Sequence, residues 1–410
     1  MDSTTATELN PDALPRLEWD WVANAFEDPN PVLNELREQT WIASSDRGLE
    51  VLRYEDVSKM LRDRNLQKQP QRVMNRMDEM GITEGPVREY HARSILTQDG
   101  DPHARLRLPL SAFFAPRRVE SLRQATASIV DRALARVAGR PTIDALPELC
   151  EPIPAEMFCH LIAAPPELAG QVARISDSMI GPIIDRGSDR AAEHVAAFHE
   201  LHDLLAELIA ERRRAPGDDV LSDLIEMQRT GQLTEQDLYD QAGMLLDASI
   251  DNTAHQLTFG LAQLLDERKL LAAVTSGAST PALAADEVLR LAAIAGAILR
   301  FPKESFEYKG MVFPAGQPIF LHLRSANRDP RVFENPDAFV PDRPKGRGPL
   351  TFGAGAHTCL GQHLARTELQ ELISRFPVAF PNAELAEPAT VSFGPIATRV
   401  QRCVIALDPA

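Results

Sequence analysis

The stretch Phe352-Gly-Ala-Gly-Ala-His-Thr-Cys-Leu-Gly361 sets a single cysteine at the end of a glycine-rich turn. Gly353 and Gly355 let the backbone turn tightly or enter positive φ, and lie close against a flat ligand. Beyond Cys359, residues Ala365, Leu369, Leu372, Ile373 and Phe376 fall on one stripe of a 3.6-residue period, which predicts a helix starting just after the sulfur. Unpaired N–H groups and the positive dipole end of a helix lower a thiol's pKa and favour the thiolate. A thiolate held this way is a strong, electron-donating ligand for an iron.

Other chemistry-bearing groups sit at helical spacing. Asp99-Gly-Asp-Pro-His-Ala-Arg-Leu-Arg107 opens a helix, with Pro102 suited to its first turn. His103 and Arg107, four apart, share a face. Glu287-Val-Leu-Arg290 places a carboxylate and a guanidinium on one side of another helix. Thr234-Glu-Gln-Asp237 has the form of a capping box, and the helical pattern after it holds to about Arg268. Some 34 residues at 1.5 Å each reach roughly 50 Å. Leu245, Leu246, Ala248, Ile250, Ala254 and Leu257 make its middle nearly apolar all round, so this central helix is expected to be buried. Its polar residues, Asp247, Ser249, Asp251, Asn252, Thr253 and His255, therefore need partners or a purpose.

The cysteine loop closely resembles the haem-binding loop of the cytochrome P450 family, and the other motifs follow in that family's order. The resemblance implies that Cys359 is the axial ligand of the haem iron, with Phe352, Gly353, His357 and Gly361 completing the loop. It implies that His103, Arg107 and Arg300 hold the haem propionates. Glu287, Arg290 and the Arg343 of Asp342-Arg343-Pro344 would form a structural triad behind the loop. Ala248 and Asp251 match the family's oxygen-activating pattern on the central helix, and Asp251, Asn252 and Thr253 occupy its catalytic stretch. Leu245, Asp247, Ala248, Gly296, Ile298 and Ile396 would line the substrate pocket, over which residues 67–98 also lie in the family. The implied fold is mainly α with a smaller β region. It is one cytochrome P450 domain over residues 1–410, with haem b (iron protoporphyrin IX) between the long central helix and the cysteine loop.

The match departs from the family at three positions. Ser249 stands for the usual glycine and Asn252 for the usual threonine, whose hydroxyl steadies a proton-delivering water. An amide also donates to oxygen but cannot relay a proton as a hydroxyl does. Asn252 is thus expected to order water or substrate while Asp251 stays the proton source. Asp247 stands where an apolar residue is usual. It either forms an internal salt bridge with an arginine or receives an amine or hydroxyl of the substrate, since an unpaired buried carboxylate is costly or takes up a proton.

Composition limits the alternatives. A net charge of −16 argues against a nucleic-acid or anionic-membrane binder. The N-terminus has no basic region followed by an apolar core, and no apolar run approaches the roughly 20 residues that span a bilayer, so no membrane anchor is expected. Four cysteines (150, 159, 359, 403) make no disulfide framework, which points to a reducing cytoplasm.

Helical periodicity runs almost throughout 119–229, broken at Gly139-Arg-Pro, Pro165-Pro166 and Ala215-Pro-Gly-Asp-Asp. Residues 1 to about 40 read as a lead-in with one short helix. A hairpin is expected around Asp46-Arg-Gly, then a helix from Tyr54 to Arg62. From 67 to 98 the pattern breaks down. Phe306–Phe313 and Gln317–Leu323 read as paired strands joined at Pro314-Ala-Gly, and Ser392–Thr398 as a pocket turn.

The implied activity is a haem-thiolate monooxygenase that inserts one atom of dioxygen into a small organic substrate. No flavin or iron–sulfur module is visible, so electrons are expected from a ferredoxin or flavodoxin with its reductase. Arg117, Arg118, Lys345, Arg347 and Arg366 form either a basic docking face or ordinary surface. Two alternatives stand beside this reading: a haem-thiolate enzyme of another type (oxidative coupling, desaturation or peroxide-driven oxidation) and a non-enzymatic haem sensor.

Overall fold

The computed structural model describes residues 7–184, 190–277, 279–340, 342–344 and 346–408. It folds as two compact units: Met1–Gln69, Phe259–Cys359 and Asn382–Pro409 form one, and Pro70–Thr258 with Leu360–Pro381 the other.

The first unit holds most of the β structure. The expected hairpin forms, with Ile42–Ser45 antiparallel to Gly48–Val51 and Ser45 opposite Gly48. It is the edge of a five-stranded sheet that continues through Ile319–His322, Ala297–Pro302 and Leu66–Gln67. Gly48–Val51 runs parallel to Ile319–His322, pairing Leu49 with Ile319 and Val51 with Leu321. Ile42, Leu49, Val51, Ile319 and Leu321 pack with Val57, Met60 and Leu61 of the helical turn after the hairpin into one buried cluster. Burial of these side chains is the main force holding the sheet.

One expected pairing is wrong. Phe306–Tyr308 pairs with Met311–Phe313 in its own two-residue hairpin, and Ile319–His322 pairs instead with Ala297–Pro302 and Gly48–Val51. The turn sits at Lys309 and Gly310, both at positive φ (50° and 76°), as tight hairpin turns require. Pro314-Ala-Gly only carries the chain from one sheet to the other.

The second unit is helical. Its breaks fall where expected, with helices ending at Val137, Leu161 and Arg214. Residues 67–98 are more regular than their pattern suggests, forming helices Gln71–Glu79 and Pro86–Arg93. Pro86 starts the second helix from its first turn, a position that tolerates proline's missing N–H. Only Met77 of the three methionines there is fully buried.

The helix Gln362–Ala379 begins three residues after Cys359, burying Leu364, Leu369, Leu372, Ile373 and Phe376. It is tied to Arg123–Val137 by Arg123–Glu371 and Arg375–Asp131 ion pairs, 2.8 and 2.7 Å. The central helix spans Glu235–Asp266, 32 residues. Its capping box is reciprocal: Thr234 N donates to Asp237 Oδ2 (2.9 Å) and Asp237 N to Thr234 Oγ1 (3.0 Å). No helix among the described residues is long and apolar enough to cross a membrane.

Candidate active site

The cysteine loop is built on its two glycines. Gly353 and Gly355 adopt φ of 69° and 76°, where a side chain is strained. A Cβ on Gly355 would stand 2.7 Å from Leu61 O and 3.0 Å from Arg62 Cα. The loop closes on itself. Gly353 N donates to Leu350 O (2.7 Å), Cys359 N to Phe352 O (2.9 Å) and Thr358 Oγ1 to Gly355 O (2.8 Å). Ala354 is 4% exposed and anchors the turn in the core. Phe352, His357 and Gly361 are half-buried, while Cys359 is exposed. A turn bearing no side chain at either glycine, an accessible thiol and a helix starting three residues on fit a flat, iron-bearing group with one thiolate ligand.

Behind the loop, Glu287, Arg290 and Arg343 meet as expected. Arg290 Nη2 and Nε donate to the Glu287 carboxylate at 2.6 and 2.9 Å, and Arg343 Nη2 at 2.8 Å. Val340 N adds a bond of 3.0 Å. Burial alone would raise the Glu287 pKa, but the two guanidiniums and the Val340 N–H outweigh it and hold the carboxylate below its ordinary value.

Two residues that sequence reasoning did not single out connect this triad to the loop. Arg290 Nη1 donates to Asn327 O (2.9 Å), and Leu350 N donates to the Asn327 side chain (2.7 Å). Asn327 Nδ2 donates to Thr351 Oγ1, which donates to Leu289 O. In the sequence Asn327 stands in the turn-forming stretch Ala326-Asn-Arg-Asp-Pro330, with nothing that ties it to the cysteine loop.

The expected pocket turns of this unit are joined to each other. Gly296 N donates to Ile396 O and Thr398 N to Ile294 O, both at 2.7 Å. A Cβ on Gly296 would lie 2.7 Å from Arg324 Nη2, so a side chain there would have to displace the Arg324 guanidinium. Ile298 is half-buried, and its Cδ1 lies 3.4 Å from where a Gly353 Cβ would be. Arg300 is 3% exposed. It sits opposite Ile319 in the sheet and donates to Leu299 O (3.0 Å).

The second unit carries the remaining residues. His103 is buried and Arg107 half-buried on one face of the helix Gly100–Ser111. On the central helix Leu245 and Thr253 are buried, Ala248 and Asp251 half-buried, and Asn252 exposed. Asp251 Oδ1 lies 3.5 Å from His255 Nε2, one turn on.

Asp247 is 3% exposed, and the partner expected to be an arginine is a tyrosine: Tyr90 O–H donates to Asp247 Oδ2 at 2.5 Å. Tyr90 reaches the helix because residue 243, one turn before, is glycine; a Cβ there would stand 3.3 Å from the Tyr90 ring and hydroxyl. Asp247 Oδ1 has no hydrogen-bond partner among the described residues. Burial pushes the carboxyl up to about 7, and the Tyr90 hydrogen bond opposes this only in part. A glycine inside an otherwise helical run, four residues before a buried acid, marks a close approach to the helix but does not identify Tyr90 as what approaches.

Of the five cations considered for docking, Arg118 is paired with Asp218 (2.7 Å) and Arg347 with Glu55. Arg366 turns to Gln362 of its own helix. Arg117 is exposed, and Lys345 lies outside the described residues.

Comparison with known proteins finds relatives of one family. A family model described as Cytochrome P450 matches residues 283–384. The chain is 29% identical over 397 residues to luteothin monooxygenase of Streptomyces thioluteus, covering 95% of each protein. It is 32% identical over 343 residues to nocardicin C N-oxygenase of Nocardia uniformis subsp. tsuyamanensis, covering 82% of this chain and 83% of that protein. The solved structure of epothilone B-bound cytochrome P450epoK superposes with a TM-score of 0.84 at 27% identity, covering 94% of this chain and 98% of that one.

Proposed function

Because the chain belongs to the cytochrome P450 family and is a haem-thiolate monooxygenase, we propose that Cys359 is the thiolate ligand of a haem b and that the substrate is a small secondary metabolite bearing an amine or hydroxyl group. The observation that carries this reading is the loop around Cys359, with two glycines at positive φ, an exposed thiol and the helix that follows it. When bound, the haem supplies the cleavage of dioxygen and the transfer of one oxygen atom to the substrate.

The protein's own residues set the conditions for that chemistry. In the unit that carries Cys359, the glycine turn gives a flat group a close seat. The Glu287–Arg290–Arg343 triad, through Asn327 and Thr351, fixes the base of the loop. Arg300, buried as a cation, suits an anionic propionate, and in the other unit His103 and Arg107 suit the same role. Gly296, Ile298 and Ile396 shape the substrate side.

On the central helix, Asp251 holds the proton source, with His255 beside its carboxylate. Asn252, exposed, orders a water or a substrate oxygen through its amide and leaves proton delivery to Asp251. Asp247 offers its unsatisfied Oδ1 to a donor on the substrate, and Tyr90 fixes the carboxylate so that this oxygen is the one left available.

Electrons come from a separate redox partner, for which we propose a ferredoxin or flavodoxin with its reductase in a reducing cytoplasm. Relatives named as a monooxygenase and an N-oxygenase favour oxygen insertion over coupling or peroxide-driven chemistry. Turnover under oxygen-18 gas tests this: one labelled atom in the product and one in water is the expected result. Product without label would refute it.

A further inference from the structure

The unit that carries Cys359 also holds a cavity of about 380 Å³ whose lining shares only Phe393, of the Ser392–Thr398 turn, with the residues assigned above to haem or substrate. Its wall includes Arg324 and Arg328, four residues apart across the helical turn Leu323–Ala326 and its cap Asn327, and so on one side of it. Phe259, Leu291 and Phe393 provide apolar surface, and Asn30 lies on the same lining.

Both arginines are only partly satisfied. Arg324 is 3% exposed; its Nη2 donates to Thr398 Oγ1 (2.6 Å) and its guanidinium lies 5.3 Å from the centre of the Phe393 ring. Arg328 donates from Nη2 to Leu291 O (2.8 Å) and pairs through Nε with Asp337 (3.2 Å). In each, Nη1 is buried with no hydrogen-bond partner among the described residues, and so is Asn30 Oδ1. A buried charged donor without an acceptor is costly, more so than a neutral one. Burial, and then the neighbouring Arg328, push the Arg324 guanidinium down to about 9. Burial, with Arg290 and Arg37 nearby, pushes Arg328 down to about 10.

Two carboxylates also line the cavity, Asp28 and Asp266, but both are exposed. Asp28 is engaged by the Asn30 N–H at 3.0 Å. Asp28 opposes the downward shift of both guanidiniums, and Asp337 that of Arg328, but both lining carboxylates are exposed whereas Arg324 is buried and Arg328 largely so. The volume falls within the range of about 300–1,000 Å³ usual for small-molecule pockets.

We propose that this cavity is a second small-molecule site, which receives an anionic carboxylate or phosphate group beside the Arg324 and Arg328 guanidiniums and an apolar body against Phe259, Leu291 and Phe393. A planar guanidinium fork suits such groups. An anion there adds counter-charge beside two guanidiniums that are largely removed from water. Because Arg324 also lies under Gly296 and bonds Thr398, beside the joined turns at Gly296 and Ile396, occupancy would stiffen one wall of the proposed substrate pocket.

The test uses holoprotein whose haem iron is ligated by imidazole, so that the substrate site is closed to the probes. Fluorobenzoate is titrated by fluorine NMR and inorganic phosphate by phosphorus NMR. Saturable binding of at least one probe is expected, and which one saturates assigns the anion class. Arg324→Met and Ala389→Phe, the latter filling the cavity while keeping both arginines, are each expected to weaken binding about tenfold or more. Should Arg324→Met fail to fold, Ala389→Phe alone decides. Absence of saturable binding by either probe, or equal affinity in the variants, overturns the proposal. The carbon monoxide difference spectrum of the same samples reports separately on the haem-thiolate assignment.

Discussion

Replacing Asp247 with asparagine is expected to stabilise the protein, and to do so in a pH-dependent way. The carboxyl titrates at about 7 in the fold instead of its ordinary 3.8, chiefly because it is buried. Between those values the native state keeps a proton that the unfolded chain has released, so stability falls as pH rises through that window. Above about 7 the whole penalty is present. At about 1.4 kcal/mol per pH unit it reaches up to about 4 kcal/mol. Asparagine cannot ionise, and its carbonyl oxygen still accepts the Tyr90 hydroxyl, so Asp247→Asn keeps the bond and sheds the penalty.

Urea unfolding of both proteins from about pH 4 to about pH 8 measures this. The curves are expected to nearly coincide at the acid end and diverge steadily toward neutrality, with the variant the more stable. A gap that does not change with pH would refute the reasoning. A second variant, Asp247→Ala, separates stability from function. If Asp247 receives a substrate donor, the spectral shift that substrate binding induces in the haem should weaken in Asp247→Ala even where the protein is intact.

Three further outcomes follow from the geometry. Glu287→Ala strands two guanidiniums, one of them 1% exposed, at a cost of about 3–5 kcal/mol. It should abolish haem incorporation, so a normal carbon monoxide spectrum would contradict it. Gly355→Ala sets a Cβ against Leu61 O at positive φ and should lower haem occupancy, with a strain cost of about 1–3 kcal/mol. Gly310→Ala, at the same φ but in open space, should leave haem absorbance unchanged. Asn252→Thr and Asn252→Ala should change the ratio of hydrogen peroxide to product, measured side by side; no change in either counts against a role for the amide in ordering water.

Local signals were legible where one stretch of chain determines the outcome. The Thr234–Asp237 capping box, the helix after Cys359, the hairpin at Asp46-Arg-Gly and the Glu287–Arg290 pair are all set by residues within a few positions of each other. What escaped was non-local. Tyr90 meets Asp247 across 157 positions, and nothing in the periodicity of either helix encodes that contact. Ile319–His322 reads in the sequence as the partner of the strand just before it, but it pairs with Gly48–Val51, some 270 residues away, and its Ile319 and Leu321 pack into a core built by the helix after that hairpin; tertiary burial decides strand pairing more than proximity does. Helices Gln71–Glu79 and Pro86–Arg93 were missed because each is short, with few fully buried residues to mark a stripe. The unsatisfied arginines at 324 and 328 look like ordinary surface charges in the sequence; only burial distinguishes them.

The most direct measurement is the carbon monoxide difference spectrum of the reduced protein with Cys359 intact and with Cys359→Ala. The intact protein should show the absorption of thiolate-ligated haem, and the variant should lose it while keeping its helical circular dichroism. An unchanged spectrum in Cys359→Ala would show that the iron is held by something else.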